Sequence, residues 1–471
     1  MRDLPIRFNP ARVIGYGGRR PRSTRASADV YDPGASTLIT EEQTPSIAYF
    51  FLLAFVFFSF AQLAAWLPGH PKPHSGMAPT GLSLLAVQMR LSLLSSVLAM
   101  ACIVFHKFTR GQMILFAGPQ VYLLGMFVLC GVLSVPFSVH PTYSLKFVLS
   151  DMVKLFLLFL LVTNVVRNLA SVRGFLWALL LCGCIPAVGA LLANLWPDQF
   201  ALSRDASGRI GWASYFGNPN RLAQTMCQLI PVALCLIPLA RSYAVKVLLA
   251  GLIGLFLLVM LLMFSRIAMI TMVMVALVYC VSSRHKIRNL TVVGVIGLCS
   301  IAAVPGAVSR AKTIATYEQD ASAMGRIYLW RAGLAMVARH PLTGIGVDAF
   351  PLAMADYFAS RGPHARLRWM WPHNAYIQAV AEMGIFGLLT FVGLLWVSLR
   401  DARRLHKRLS DASDPPAQEL AMLARGLFLA MIANCIIGLT SHIAYDWTLH
   451  MYGALIVCLK QIARPSAAGE A

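Results

Sequence analysis

The sequence predicts an all-α polytopic membrane protein that crosses the bilayer about twelve times, on the evidence of its composition and its apolar stretches. Of the 471 residues, 58% are hydrophobic and only 13% are charged, which is typical of polytopic membrane proteins and not of soluble domains. Twelve apolar stretches are long enough, or nearly so, to span a bilayer as helices. They lie near residues 47–67, 84–105, 112–135, 148–166, 174–195, 222–240, 244–263, 267–282, 289–306, 375–398, 423–440 and 445–460.

The charges of the loops predict how these spans are oriented. If the N-terminus is cytoplasmic, every cytoplasmic loop is basic, as the positive-inside tendency requires, and twelve spans return the C-terminus to the cytoplasm. The cations of these loops are Lys107, Arg110, Arg167, Arg173, Arg241, Lys246, Arg284, Lys286, Arg288 and the five between Arg400 and Arg408. We predict membrane lipids, and no nucleic acid, among the partners.

Five regions follow from this topology. Residues 1–45 carry seven arginines with several Pro and Gly and are predicted to be a disordered basic cytoplasmic tail. Residues 46–306 hold spans one to nine, 307–374 form the one large outer loop, 375–460 hold the last three spans, and 461–471 are a cytoplasmic tail. The ten cysteines fall in or beside the spans, so we expect no structural disulfides.

Cations on the outer face oppose the usual topological bias, so another demand could have placed them. Six lie in two short loops and in the outer halves of two spans: Arg204, Arg209, Arg221, Arg266, Arg90 and Lys154. Eight more Lys or Arg residues lie in the segment 307–374. Arginine suits an anionic head group, phosphate above all, because the guanidinium fork matches the phosphate oxygens. The alternative is that these side chains extend to the lipid phosphates of the membrane surface.

Two helix starts face the same outer side. In "FGNPNRLAQ", Asn218 is the expected N-cap and Pro219 the first helical residue, followed by Asn220 and Arg221. In "PHNAYIQ", Asn374 is the expected cap, and His373 precedes it. Helix N-termini attract anions and disfavour a protonated imidazole, so His373 is expected to be neutral and able to accept a proton. The alternative is that both asparagines only cap their helices.

The outer loop contains an amphipathic helix in "GRIYLWRAGLAMVARHPL", which Arg326 is expected to open and His340-Pro341 to close. The spacing of its apolar residues predicts one buried face, formed by Ile327, Trp330, Leu334 and Val337. The stretch "TGIGVDAF" that follows is predicted to be a turn. His340 stands at a helix C-terminus, where a cation is favoured, so we assign it to anion contact or to structure.

Two acidic residues lie inside predicted spans. Glu382 is expected to pair with an intramembrane cation such as Arg90 or Lys154, which is a structural role; catalysis is the alternative. Asp151 and Lys154 are spaced to pair on one helix face.

Four stretches together are characteristic: "FGNPNRLAQ" at 216–224, "SRIAM" at 265–269, "GRIYLWRAGLAMVARHPLTGIGVDAF" at 325–350 and "PHNAYIQAVAEMGIFGLL" at 372–389. Through them the chain resembles the O-antigen ligase and polymerase superfamily, most closely the O-antigen ligases of lipopolysaccharide assembly. The likeness covers about residues 210–460, while the first third matches only as hydrophobic helices. The family's arginine after serine falls on Arg266, its arginine before the tryptophan helix on Arg326, and its histidine on His373.

The resemblance implies a fold of the polyprenyl-phosphate-sugar glycosyltransferase type in the bacterial inner membrane. It implies transfer of a polysaccharide from undecaprenyl diphosphate to the lipid A core on the periplasmic side, without a metal or another cofactor. Arg266 and Arg326 would stabilise the departing diphosphate, and His373 would accept the proton of the attacking hydroxyl. Direct attack would invert the anomeric centre. Candidate substrate-binding residues are Arg90, Arg204, Arg209, Asn220, Arg221, His340 and Asn374.

Three other functions stay open at this stage. A polysaccharide polymerase or a protein-glycosylating relative would use the same donor with a different acceptor. A membrane transporter is the alternative from a different class, although transporters usually show internal repeats, and none is evident here.

Overall fold

The structure is a computed structural model, and it describes residues 43–61, 90–114, 118–196, 203–204, 210–211, 218–283, 285–291, 294, 321–359 and 370–463. Most of the predicted ninth span, nearly all of both predicted tails, and Arg209 lie outside these residues. Of Arg204 only the backbone is described.

The described residues form helices and one short antiparallel pair of strands. The helices are α1 Ser46–Ala61, α2 Leu91–Thr109, α3 Pro119–Ser134, α4 Pro141–Phe147, α5 Val153–Val165, α6 Leu169–Leu195, α7 Pro219–Leu236, α8 Tyr243–Leu262, α9 Arg266–Val281, α10 Ala321–Arg339, α11 Phe350–Ala359, α12 Ala375–Leu409, α13 Pro415–Gly438 and α14 Trp447–Ile462. A 3-10 turn at Val135–Phe137 follows α3, and a π turn at Val148–Met152 joins α4 to α5. Strands β1 (Ser203–Arg204) and β2 (Ile210–Gly211) pair between α6 and α7.

Eleven of the twelve predicted apolar stretches coincide with helices of the described chain. Six helices are long and apolar enough to cross a membrane, and α1 and α9 are shorter apolar helices. The chain is therefore a multi-pass membrane protein with an all-helical membrane region, and the total of twelve crossings stays a prediction.

Burial is distributed among the helices as a membrane bundle requires. Every residue of α14 from Thr448 to Leu459 is buried, so this helix is central. In α2, by contrast, only Ser95, Ala99 and Ile103 are buried, although the helix is apolar on its other sides as well. A helix that is apolar all round and buried on one side only is explained when lipid covers the remainder.

Helix α12 is broken at Gly384, whose φ of 70° and ψ of −170° are not helical. The loop that follows α10 (residues 341–348, the insert loop) fills this break. Ile345 N donates to Ala381 O at 2.9 Å, and Ile385 N donates to Pro341 O at 2.9 Å. The two segments thereby exchange the backbone hydrogen bonds that a continuous helix would have made internally. The predicted turn "TGIGVDAF" is therefore seated against α12.

Replacing Gly384 with alanine is expected to lower the melting temperature of the purified protein. The new methyl group would lie 2.1 Å from the carbonyl oxygen of Leu342, and the backbone conformation is one that essentially only glycine adopts. Strain of this kind alone costs about 1–3 kcal/mol. Gly251→Ala in α8 is the control, because its methyl group would meet nothing within 4 Å. Equal melting temperatures for the two variants would show that the insert loop does not need the break.

The buried face of α10 differs from the prediction. The helix buries Leu329, Ala332 and Met336, whereas Leu334, expected in the apolar face, is 56% exposed. The reason is packing against α12, since a side chain at Gly333 would collide with Ile377. This contact turns the small-residue side of α10 inward. The expected end of the helix at His340-Pro341 is confirmed, and its start lies at Ala321, before Arg326.

Two expectations about charged residues in the early spans are wrong. Arg90 does not lie inside a helix, because it precedes Leu91 with a left-handed φ of 44° that interrupts helical geometry. Asp151 and Lys154 are both exposed and form no ion pair in the described chain; the Asp151 carboxylate accepts a hydrogen bond from Ser150 instead. The π turn that contains Asp151 widens the helix there, so the usual i, i+3 neighbours are displaced.

Candidate functional site

The loop between α13 and α14 (residues 439–446, the α13–α14 loop) joins the first turns of α7 and α12. Gln224 Nε2 of α7 donates to Ser441 Oγ at 2.6 Å. Ala444 N donates to Gln378 Oε1 of α12 at 3.3 Å. The N-terminal ends of α7, α12 and α14 therefore meet here, and we refer to this as the His373 end of the bundle.

An ion pair reinforces the same junction. Arg221 Nη1 contacts Asp446 Oδ2 at 2.5 Å, and the aspartate side chain is only 3% exposed. Asp446 also caps α14, because its Oδ1 accepts from Thr448 N at 2.9 Å. The carboxylate of Asp446 thus binds Arg221 of α7 and caps the N-terminus of α14.

Replacing Asp446 with alanine is expected to destabilise the protein strongly. Removing one partner of a buried ion pair typically costs about 3–5 kcal/mol, and the 23% exposure of the Arg221 side chain places the expected loss at the low end of that range. Glu419→Ala is the matched control, because the Arg173–Glu419 pair at 2.6 Å is more exposed, at 45% and 19%. Pairs of that kind contribute about 0–1 kcal/mol. Thermal unfolding in detergent measures the stability of both variants. Similar losses of stability would contradict a special role for the buried Arg221–Asp446 pair.

The expected caps are present. Asn218 accepts from Asn220 N at 2.9 Å, with Pro219 in the first turn. Asn374 Oδ1 accepts from Tyr376 N and Ile377 N at 2.9 and 3.0 Å. In addition, Asn374 Nδ2 donates to Leu439 O at 3.1 Å, which ties the start of α12 to the end of α13. The predicted role of Asn220 and Asn374 in substrate binding stays a prediction.

His373 lies in a cluster of rings at the entry to α12. Its backbone is left-handed, with a φ of 47°, a region that residues other than glycine seldom occupy. The His373 ring meets the His442 ring edge-on, with centroids 5.2 Å apart. Trp371 stacks on the other ring, His442, at 5.3 Å with planes 14° apart. Backbone strain that the surroundings maintain is characteristic of functional positions.

Both imidazoles are held in the neutral form. Burial, which is the largest cause, and the positive charges of Arg326 and Arg221 together lower the pKa of His373 to about 4. Burial also places the pKa of His442 well below its ordinary value, with His373 and Arg221 contributing. The expectation that His373 is neutral rested on the helix dipole, whereas the causes here are burial and two arginines. His442 Nδ1 is buried without a hydrogen-bond partner among the described residues.

Arg326 of α10 lies close enough to His373 for its charge to act on the imidazole. Gly333 of α10 packs on Ile377, in the first turn of α12. Arg326 precedes Gly333 by seven residues, about two helical turns, so both lie on the same face of α10. The side chain of Arg326 is half-buried, and its charge acts on His373.

Arg266 begins α9 at the same end. Phe264 is left-handed with a φ of 48°, and Ser265 is fully buried as N-cap. Cys227 Sγ of α7 donates to Ala268 O of α9 at 3.4 Å, which sets the two helices in register. Cys227 is six residues beyond Arg221, and Ala268 is two residues beyond Arg266. At ~1.5 Å per residue, Arg266 therefore lies about 6 Å further from the His373 end of the bundle than Arg221 does.

Glu382 is fully buried, but its partners differ from the expected cation. Its Oε2 accepts from Tyr445 OH at 2.6 Å and from Asp348 N at 2.9 Å. The suggested partners, Arg90 and Lys154, are both exposed. Lys154 points out of the bundle, while Glu382 faces the interior. The expected structural role is consistent with these contacts, because Glu382 joins the insert loop to the α13–α14 loop.

Asp348 connects this network to the rings. Its carboxylate accepts from Trp371 Nε1 and from Tyr143 OH, each at 2.9 Å. Burial raises the pKa of Asp348, and these two donors partly oppose that rise. The contacts run from Glu382 through Asp348 to Trp371 and so to the histidines. The insert loop therefore fixes the position of the ring cluster.

The remaining predicted site residues are placed differently. His340 is exposed at the far end of α10 from Arg326, about 21 Å along the helix axis at ~1.5 Å per residue. Arg90 is exposed at the start of α2. The structure does not bring these two to the His373 cluster, whereas it does bring Arg221 and Arg326.

Sequence reasoning missed His442, Trp371, Asp348 and Asp446. One signal for His442 was present: a short polar loop, "TSHIAYD", between two apolar helices on the outer side. Among the described residues, no group of three or more His, Cys, Asp or Glu side chains has the arrangement of a metal site. The site combines guanidinium groups, which bind anions, with a neutral imidazole that can accept a proton.

Comparisons with known proteins confirm the resemblance. Residues 250–392 match the family model described as O-antigen ligase. That segment includes Arg266, Arg326 and His373. The chain is also 29% identical over 126 residues to the exopolysaccharide production protein ExoQ of Rhizobium meliloti (strain 1021), a match that covers 25% of this chain and about a quarter (27%) of that relative. Over residues 250–392, the chain is thus similar to the O-antigen ligase family.

Proposed function

We propose, from the O-antigen ligase domain at residues 250–392, that the protein is a glycosyltransferase of the bacterial inner membrane. It transfers an O-antigen polysaccharide from undecaprenyl diphosphate to a sugar hydroxyl of the lipid A core. The observation that carries the proposal is the neutral imidazole of His373 within the electrostatic reach of Arg326 and Arg221.

The residues divide the chemistry between them. Arg266 and Arg326 stabilise the diphosphate as the bond from the anomeric carbon to the phosphate oxygen breaks and its electron pair passes to that oxygen. The acceptor hydroxyl forms the new bond at the anomeric carbon from the opposite face and gives its proton to a ring nitrogen of His373. The anomeric configuration is inverted. Arg221, paired with Asp446, adds positive charge at the entry to α7.

The charges at the opposite end of the bundle support the proposed orientation in the membrane. There Lys460 Nζ pairs with Asp401 Oδ2 at 2.7 Å, and Arg167 and Arg173 lie at the start of α6. These cations belong to the loops that the positive-inside tendency assigns to the cytoplasm. The His373 end accordingly faces the periplasm, and both chain termini are cytoplasmic.

The acceptor distinguishes the related functions in one experiment. Purified protein receives undecaprenyl-diphosphate-linked glycan in EDTA, and lipid A core, free glycan or a pilin-like protein is added in turn. The expected result is transfer to lipid A core alone. Transfer that requires a metal, or activity that is unchanged in both His373→Ala and Arg266→Ala, would overturn the mechanism.

A polysaccharide polymerase is the second candidate, favoured by the similarity to a protein whose name refers to exopolysaccharide production. It uses the same donor and the same arginines, with a second glycan as acceptor. Transfer to free glycan in place of lipid A core identifies it.

The pH dependence of transfer is expected to differ between kcat/KM and kcat. In the free enzyme the pKa of His373 is about 4, so kcat/KM should be constant above about pH 5 and fall as the pH drops through 4, where His373 becomes protonated. A bound diphosphate offsets the arginine charges and favours the imidazolium, so the acid limb of kcat should lie at higher pH. Coincident limbs for both parameters would contradict the placement of the diphosphate beside His373.

A further inference from the structure

A cavity of about 500 Å³ lies at the end of the bundle opposite His373. Its lining is basic and polar, and the side chains that matter here are His106, Lys107, Arg110, Gln112, Asn164 and Arg167. They come from the last turn of α2 and the turn after it, from the end of α5, and from the link to α6. None of the described residues that line the cavity carries a carboxylate.

The contacts of Arg167 fix where this cavity lies. Its Nη1 donates to Gln461 Oε1 at 2.6 Å, near the C-terminal end of α14. Helix α14 starts in the α13–α14 loop at the His373 end, and Gln461 is 14 residues beyond Trp447, about 21 Å along the axis at ~1.5 Å per residue. The cavity therefore belongs to the opposite side of the membrane from the candidate site, and nothing in the proposed reaction uses it.

The lining has the chemistry of a phosphate site. Lys107, Arg110 and Arg167 supply positive charge at the level where the helices leave the membrane, and Gln112 and Asn164 add amide groups. Guanidinium and ammonium groups bind phosphate oxygens, and basic pockets between transmembrane helices bind anionic lipid head groups.

The surface beside the cavity distinguishes a lipid from a free anion. Phe105 and Phe108 of α2 are 69% and 82% exposed, and Met113 is 89% exposed. These apolar side chains flank Lys107 and Arg110 in sequence. They face the bilayer, as the other exposed apolar residues of α2 do. A phospholipid can therefore place its phosphate in the cavity while its acyl chains stay beside them, whereas a free phosphate makes no use of them.

We propose that this basic cavity binds the head group of an anionic phospholipid of the leaflet opposite the candidate site. The phosphodiester lies between Lys107, Arg110 and Arg167, and the acyl chains pass over Phe105 and Phe108. The bound lipid links α2 to the junction of α5 and α6.

Binding of phosphatidylglycerol to the full-length protein in detergent tests the proposal, with native mass spectrometry and melting temperature as readouts. Phosphatidylcholine with the same acyl chains and inorganic phosphate are the comparison ligands. Phosphatidylglycerol should bind and raise the melting temperature, and the other two should not. The double variant Lys107→Gln, Arg110→Gln should bind it about 30-fold more weakly, since each cation near an anionic lipid is worth about fivefold. Arg241→Gln with Lys246→Gln is the matched control, because both are exposed cations outside the cavity.

A second pair of variants tests the charge without removing any cation. Gln112 is exposed, so Gln112→Glu and Gln112→Lys should both fold. The first should weaken the binding of phosphatidylglycerol and the second should strengthen it. Equal binding of the two phospholipids, equal losses in the cavity and control variants, or a rise in melting temperature with inorganic phosphate that depends on Lys107 and Arg110 would each overturn the proposal.

Discussion

Replacing His373 with alanine is expected to lower the rate of glycan transfer roughly 10²–10⁴-fold, the range that a positioned proton acceptor contributes. The imidazole is held neutral by burial and by two arginines, and its ring is fixed against His442. Removing it leaves the arginines in place, so the loss should be in kcat, with donor binding nearly unchanged. A steady-state assay with varied donor concentration separates the two parameters.

The control for this variant is His285→Ala, because His285 is exposed at the inner end of α9, away from the ring cluster. It should behave as the parent enzyme. His373→Ala must also be shown to fold, and its left-handed backbone gives the reason: alanine at a φ of 47° is strained there, as histidine is. His373→Gly relieves that strain and should be equally inactive. Activity in the glycine variant would show that the imidazole takes no part in proton transfer.

The starts of the helices at the site could be predicted because their signals are local. Asn218-Pro219 and Asn374 carry the cap chemistry in consecutive residues, and both cap as expected. The apolar stretches could be predicted equally well, since length and hydrophobicity are properties of a single segment. The buried face of α10 could not be predicted in this way, because packing on α12 at Gly333 and Ile377 decides which side is buried. Contact between helices overrode the periodicity of one helix.

The network around the site depends on residues that are distant in the chain, and no local pattern pairs them. Arg221 and Asp446 are 225 positions apart. The insert loop and the break at Gly384 fit each other only in three dimensions, and the sequence predicted the first as a turn but not the second as a break. The sequence therefore predicts a cation as the partner of Glu382, since a buried carboxylate usually needs one. The structure gives it a phenol and a backbone amide instead.

Replacing Arg326 with alanine is expected to slow transfer by about 10²–10³-fold, which corresponds to roughly 3 kcal/mol of lost transition-state stabilisation. Arg331→Ala is the matched control, because Arg331 lies on the same helix but is exposed. Arg326→Lys keeps the charge without the guanidinium fork, so its transfer rate should lie between those of Arg326→Ala and Arg331→Ala. Similar rates for Arg326→Ala and Arg331→Ala would remove Arg326 from the site.

The same variant carries a second readout that a purely structural arginine would not affect. The charge of Arg326 lowers the pKa of His373, so Arg326→Ala should raise that pKa and move the acid limb of kcat/KM to higher pH. Arg326→Lys should leave the limb near its original position, because the positive charge remains. The rate and the position of the limb therefore separate two roles of one side chain: the proposed binding of the diphosphate by the guanidinium fork, and the charge that helps to keep the imidazole neutral. A loss of rate without a shift of the limb would mean that Arg326 acts on the donor alone, and that burial is sufficient to hold His373 neutral.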